Sequence, residues 1–162
     1  VVGVMGPGAG ARPEDLEHAR ALGAGIARAG WVLLTGGQAA GVMDAASRGA
    51  SGAGGLVVGV LPQDGTEAAS PALDLALVTG LGNARNAVNV LSSDVVIACG
   101  MGPGTASEAA LAIKAGRPLV LLGCGAKAEA FFRELGGAGV ILAADVDAAL
   151  AAAGEALERG RG

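Results

Sequence analysis

Hydrophobic residues along this chain gather in short continuous runs instead of alternating with polar ones. The runs are 1–5 (VVGVM), 31–35 (WVLLT), 56–61 (LVVGVL), 75–79 (LALVT), 95–99 (VVIAC), 118–122 (PLVLL) and 139–142 (GVIL). Unbroken Val/Leu/Ile stretches of this length predict strands buried on both faces, the pattern of a parallel sheet. Helical patterns lie between them. Pro13-Glu14-Asp15 reads as a helix start, because proline suits the first helical position and acids suit the positive end of the dipole. Leu16, Ala19, Leu22 and Ile26 then recur on one face, and Gly30 supplies the stop. Further helices are predicted over 41–52, 84–92, 105–115, 126–135 and 145–158. Strands alternating with helices give an α/β fold: a doubly wound, Rossmann-like parallel sheet of about seven strands with helices on both faces. No linker divides the chain, so one domain over 1–162 is expected.

Composition narrows the function. Hydrophobic residues make up 52% of the chain, too many for a disordered protein, yet no apolar run approaches the roughly 18 residues of a membrane span. No secretory leader is legible, which makes a cytoplasmic or organelle-stromal location the expectation. The formal net charge is −4, the basic residues are scattered, and Trp31, Phe131 and Phe132 are the only aromatics. A basic groove with stacking platforms is therefore not expected, nor is nucleic-acid binding. Trp31 and the Phe pair read as core or subunit interface. Cys99 and Cys124 read as small buried residues near strand ends, and with one histidine, His18, expected at the surface, no protein metal site is expected.

Ligands of open parallel sheets bind at the carboxyl ends of the strands. Four glycine-rich turns fall there: Gly6-Pro7-Gly8-Ala9-Gly10, Gly36-Gly37-Gln38, Gly80-Leu81-Gly82-Asn83 and Gly100-Met101-Gly102-Pro103-Gly104. Such turns let backbone N–H groups approach an anion, and the following helix adds its positive end. Thr105 and Ser107 offer hydroxyls in the first turn of the next helix. Arg85 reads either as a solvated helix-start residue or as an anion clamp, and Glu108 either as a helix-dipole acid or as a site carboxylate. The long polar loop 62–73 is placed to overhang the cleft. Neither the dinucleotide fingerprint nor a Walker A loop is present.

The stretches TGGQAAGVMDAASRGA (35–50), NARN (83–86) and GPGTASE (102–108) resemble the LOG-like, or lysine-decarboxylase-like, Rossmannoid superfamily. Its hallmark is P-G-G-x-G-T-x-x-E, with an arginine on the preceding helix. Gly102, Gly104, Thr105 and Glu108 match the hallmark and Arg85 matches the arginine, whereas Gly100-Met101 replaces the leading Pro-Gly. In the enzymes of that superfamily this pair serves cleavage of the N-glycosidic bond of nucleoside 5′-monophosphates. A narrower likeness covers nearly the whole chain. VVGVMGPG, GWVLLTGG, GVLP, VTGLGNARN and GMGPGTASEAALAIKAGRPLVLLG closely resemble the molybdenum cofactor carrier proteins of green algae.

That likeness implies a non-enzymatic protein that binds, protects and carries molybdenum cofactor (molybdopterin) for delivery to molybdoenzymes. It also implies a cytosolic homo-oligomer, typically a tetramer. No catalytic residue is then assigned and no protein ligand to the metal. The residues implied to hold the cofactor are Gly6, Pro7, Gly8, Gly36, Gly37, Asn83, Arg85, Asn86, Gly102, Pro103, Gly104, Thr105, Ser107 and Glu108. Glu108 becomes a relic of enzyme chemistry. Two readings stay beside this one: a phosphoribohydrolase of cytokinin-type nucleoside monophosphates that uses Arg85 and Glu108, and a regulatory module binding another nucleotide or anion.

Overall fold

The computed structural model describes residues 1–160; the last two residues of the expected 1–162 unit lie outside them. The elements are β1 (Val2–Met5), α1 (Pro13–Arg28), β2 (Leu33–Thr35), α2 (Gly41–Gly52), β3 (Val57–Leu61) and β4 (Leu75–Val78). A 3-10 turn (Gly82–Ala84) leads into α3 (Arg85–Leu91), followed by β5 (Val95–Cys99), α4 (Pro103–Lys114) and β6 (Leu119–Leu122). The chain closes with α5 (Ala126–Gly136), β7 (Val140–Ala143) and α6 (Val146–Arg159).

The seven strands form one sheet in the order β4-β3-β2-β1-β5-β6-β7, with every pair parallel. The chain winds outward from β1 to β4, returns through α3, and winds outward again from β5 to β7. Neighbours β1 and β5 therefore send their loops to opposite faces, which opens a crevice at their carboxyl ends. Side chains of β5 alternate accordingly. Val95, Ile97 and Cys99 join the core under α1, α2 and α6, while Val96 and Ala98 join the core under α3, α4 and α5.

Small residues set the spacing of the helices. α1 and α2 cross backbone to backbone: a Cβ added at Gly23 would collide with the carbonyl oxygen of Ala46, and one at Gly49 with that of Arg20. The first turn of α1 departs from the helical-face expectation. Leu16 is 37% exposed, and it is Asp15, 1% exposed, that turns inward. The Asp15 carboxylate accepts from the Arg12 backbone N–H at 2.9 Å and from Arg12 Nη2 at 2.6 Å. Burial pushes this carboxyl up, but the Arg12 hydrogen bonds and charge outweigh burial and hold it below its ordinary value.

Two further expectations are corrected. β4 is an edge strand with Leu75, Leu77 and Val78 exposed, not a strand covered on both faces. Trp31 precedes β2 instead of opening it, and its ring lies against Gly154. Of the Phe pair, Phe132 is buried and Phe131 exposed.

Gly23→Ala and Gly49→Ala are each expected to destabilise the protein by about 1–3 kcal/mol, through forced separation of α1 and α2. Gly52→Ala, at the end of α2 where a Cβ enters open space, should be no less stable than the parent. Urea denaturation of the three variants checks this. Stability should also fall as acid protonates Asp15, below about pH 4, because its lowered value means the stabilisation exists only while it is ionised.

Candidate functional site

The crevice between the β1 and β5 loops is a cleft of about 440 Å³. Gly6, Pro7 and Gly8 line it after β1, and Gly36 after β2. Asn83, Arg85 and Asn86 reach it from the start of α3. Gly102, Pro103, Gly104, Thr105 and Glu108 complete it from the β5 loop and α4. Arg85 and Glu108 are the only charged residues among its lining.

Arg85 is the most unusual side chain here. It is 8% exposed, and its Nε is buried without a hydrogen-bond partner. Burial pushes its value down, with the Glu108 charge opposing. Its guanidinium lies across Gly36, where any Cβ would collide with Nη1. Glycine at 36 is therefore a condition of the arginine's position. Yet no Arg85 nitrogen lies within 4.0 Å of a Glu108 oxygen; the ion pairs among the described residues are elsewhere.

Thr105 is the third residue of α4, 2% exposed, and its Oγ1 also lacks a partner. Gly102 caps this helix without a side chain, and the first intrahelical bond at this end runs from Ala106 N–H to Gly102 O. The N–H groups of Gly104 and Thr105 are thus left over at the helix start. A Cβ at Gly104 would meet nothing within 4 Å, so the loop stands open at that point.

Glu108 is 6% exposed and accepts from Asn89 Nδ2 at 2.8 Å. Burial raises its value, and the Asn89 bond and Arg85 charge offset that only in part. The loop before α4 is fixed from below. Gly100 has φ +72, and its backbone lies against the Asp15 carboxylate, whose atoms a Cβ would meet at 2.7–2.8 Å. Proline, locked near φ −65°, cannot occupy that position, which accounts for glycine where the superfamily hallmark begins with proline.

Two residues expected at the site do not line the cleft. Gly37, with φ +76, packs on the Gly59 backbone of β3. Ser107 donates to Gly104 O at 2.9 Å and accepts from Asn86 Nδ2 at 2.7 Å, so its hydroxyl is spent on its own helix and on α3. The loop 62–73 does not overhang the cleft either. Ser70 N–H donates to Gly37 O, and Ala39 N–H to Ala68 O, pinning that loop to the outer side of the β2 turn. His18 is half-buried rather than at the surface, with Nδ1 shielded. Cys99 and Cys124 are buried free thiols whose values burial pushes up to about 12.

Residues not assigned to the cofactor also line the cleft: Gly10 and Gln38 of the glycine-rich turns and, most tellingly, Met5, Met43 and Met101. These are all three methionines of the chain. Each sits at or just beyond a strand end or in the first turn of α2, where an apolar side chain reads equally as core. A larger depression of about 810 Å³, lined by Ile113, Arg117, Ala148 and Ala152, lies away from the strand carboxyl ends. None of the buried unpartnered polar atoms belongs to its lining. Among the described residues no group of three or more His, Cys, Asp or Glu could hold a metal ion. No helix there is long and apolar enough to cross a membrane.

Residues 1–150 match the SLOG cluster4 family, and the chain belongs to it. An uncharacterized protein of Archaeoglobus fulgidus is 40% identical over 121 residues, 75% of this chain and 78% of that one. The fold superposes on the molybdenum cofactor binding protein of the phototrophic bacterium Rippkaea orientalis with a TM-score of 0.93. That protein is 49% identical, over 99% of this chain and 96% of the other. It superposes on the Moco carrier protein of Chlamydomonas reinhardtii with a TM-score of 0.92 and 51% identity, over 98% and 97% of the two chains.

Gly36→Ala is expected to displace the Arg85 guanidinium and to cost about 1–3 kcal/mol in stability. In nitrogen NMR spectra the Arg85 Nε–H resonance should shift strongly in Gly36→Ala and hardly at all in Gly104→Ala.

Proposed function

We propose that this member of the SLOG cluster4 family binds and carries molybdenum cofactor, and that the cleft between the β1 and β5 loops is where it does so. The observation that carries the reading is Arg85: a buried side chain whose Nε has no partner, in a cleft that also holds the unpartnered Thr105 hydroxyl and the free N–H groups at the start of α4. Buried donors of this kind cost free energy unless a partner satisfies them, and a phosphate offers several acceptor oxygens to a guanidinium, a hydroxyl and helix-start N–H groups. Molybdopterin carries a terminal monophosphate. Its flat, sulfur-bearing remainder suits the Met43 and Met101 side chains of the cleft, whose polarizable thioethers pack well on ring systems. The likeness to the cofactor-binding proteins of Rippkaea and Chlamydomonas supports the same assignment.

On this reading Gly6, Pro7, Gly8, Gly36, Asn83, Asn86, Gly102, Pro103, Gly104 and Glu108 contact the cofactor beside Arg85 and Thr105, and the metal takes no protein ligand. Binding, not catalysis, is the function. A hydrolase of this type would need the Glu108 carboxylate to stabilise a cationic transition state, and burial disfavours its charged form. We further propose a cytoplasmic homotetramer that delivers to molybdoenzymes. The exposed apolar side chains Leu75, Leu77, Val78 and Leu81 along the β4 edge support association.

Anaerobic incubation with molybdenum cofactor, desalting, and quantification of pterin by its fluorescent oxidation product test the reading. Stoichiometric retention that AMP does not displace is expected, with retention in Arg85→Ala weakened about tenfold or more. Base release from AMP that disappears in Glu108→Ala would establish the phosphoribohydrolase instead.

A further inference from the structure

Asn89 sits one helical turn beyond Arg85 on α3, so the two side chains share a helix face, about 5–6 Å apart at their Cβ atoms. Asn89 is fully buried. Its Nδ2 donates to Glu108 Oε1 at 2.8 Å, while its Oδ1 is buried without a partner. The Ser93 hydroxyl donates to the Asn89 backbone oxygen and not to that amide oxygen. The amide cannot turn over to relieve this, because Oδ1 would then face an acceptor oxygen of Glu108. The direction of the hydrogen bond is therefore fixed, from Asn89 to the carboxyl.

That carboxyl has a second candidate partner close by. Arg85 and Glu108 are the only charged residues lining the cleft, yet they form no ion pair. A carboxyl held at Asn89 is one side-chain swing from a guanidinium one turn back on the same helix. An ion pair there would occupy the guanidinium N–H groups and cancel the one positive charge of the lining, both of which an anion needs. We infer that Asn89 is a positioning residue that holds the Glu108 carboxyl off Arg85 and so keeps the guanidinium available to an anion. The inference rests on the reading of the cleft as an anion site. Asn89 acts through Glu108 and does not line the cleft itself.

Titration with inorganic sulfate at neutral pH and low salt tests this in a double-mutant cycle. Asn89→Leu should bind sulfate about tenfold or more weakly than wild type, because Glu108 is released to pair with Arg85. In the Glu108→Gln background the same change should alter affinity by less than about twofold, since a neutral amide cannot cancel the guanidinium. Unchanged affinity in Asn89→Leu would overturn the inference. So would an equal loss in both backgrounds, which is what a residue that merely supports the helix would produce. Nitrogen NMR of the ligand-free protein gives a readout independent of binding. The Arg85 Nε–H resonance should shift in Asn89→Leu and return towards its wild-type position in Asn89→Leu/Glu108→Gln. No shift in Asn89→Leu would overturn the inference, and if Glu108→Gln does not fold this comparison decides alone. Should Asn89→Leu not fold, Asn89→Ala takes its place; failure of both would make Asn89 a structural residue and overturn the inference. No sulfate binding by wild type would instead refute the anion-site reading, while the Arg85 resonance still decides whether Asn89 holds the carboxyl away.

Discussion

A buried guanidinium with no ion pair among the described residues is the constraint around which this structure is arranged. Desolvating Arg85 is costly, and the ordinary remedy, an ion pair with the nearest carboxylate, is not taken although Glu108 lines the same cleft. Three features keep that remedy out of reach. Gly36 supplies the space in which the guanidinium lies, Asn89 engages the carboxyl, and the short helix α3 carries both Arg85 and Asn89 one turn apart. A protein whose formal net charge is −4 thus retains one shielded cation at the mouth of its sheet.

The sheet topology explains why the pieces meet there. Winding outward from β1 and again from β5 leaves the first loops of the two halves back to back, with α3 bridging them from the far edge. The precision of the meeting comes from glycine. Gly23 and Gly49 let α1 and α2 touch, so the β1 and β2 turns are set close together. Gly100 lets the β5 turn rest on the Asp15 carboxylate. Asp15 therefore connects the start of α1 to the floor of the cleft. Soft side chains complete the wall, with Met43 between Gly8 and Gly36.

Much of this was legible in the sequence. Continuous apolar runs marked all seven strands, because strands covered on both faces need no alternation. β4 misled in burial, since an apolar run cannot reveal that it will sit at an edge. Leu16 misled because periodicity ranks residues by polarity, and Asp15 turned inward to meet Arg12 and Gly100. The glycine turns, Arg85 and Glu108 were found because their chemistry and their position after strands agreed. Ser107 and Gly37 shared that position, but local back-bonding in one case and packing on Gly59 in the other took them out of the lining. The methionines went unread because nothing in their spacing distinguishes a cleft wall from a core. Asn89 could be read only from its partners.

The central claim is that Arg85 and the α4 amino end hold the phosphate of the cofactor. Its most direct test compares equilibrium binding of molybdopterin with binding of the same molecule after enzymatic removal of its phosphate, both under strict anaerobiosis. The account predicts that dephosphorylation weakens binding by about a hundredfold, and that Arg85→Ala binds the two forms equally. Equal affinity of the unmodified protein for both forms would contradict it, and would assign the recognition to the pterin alone.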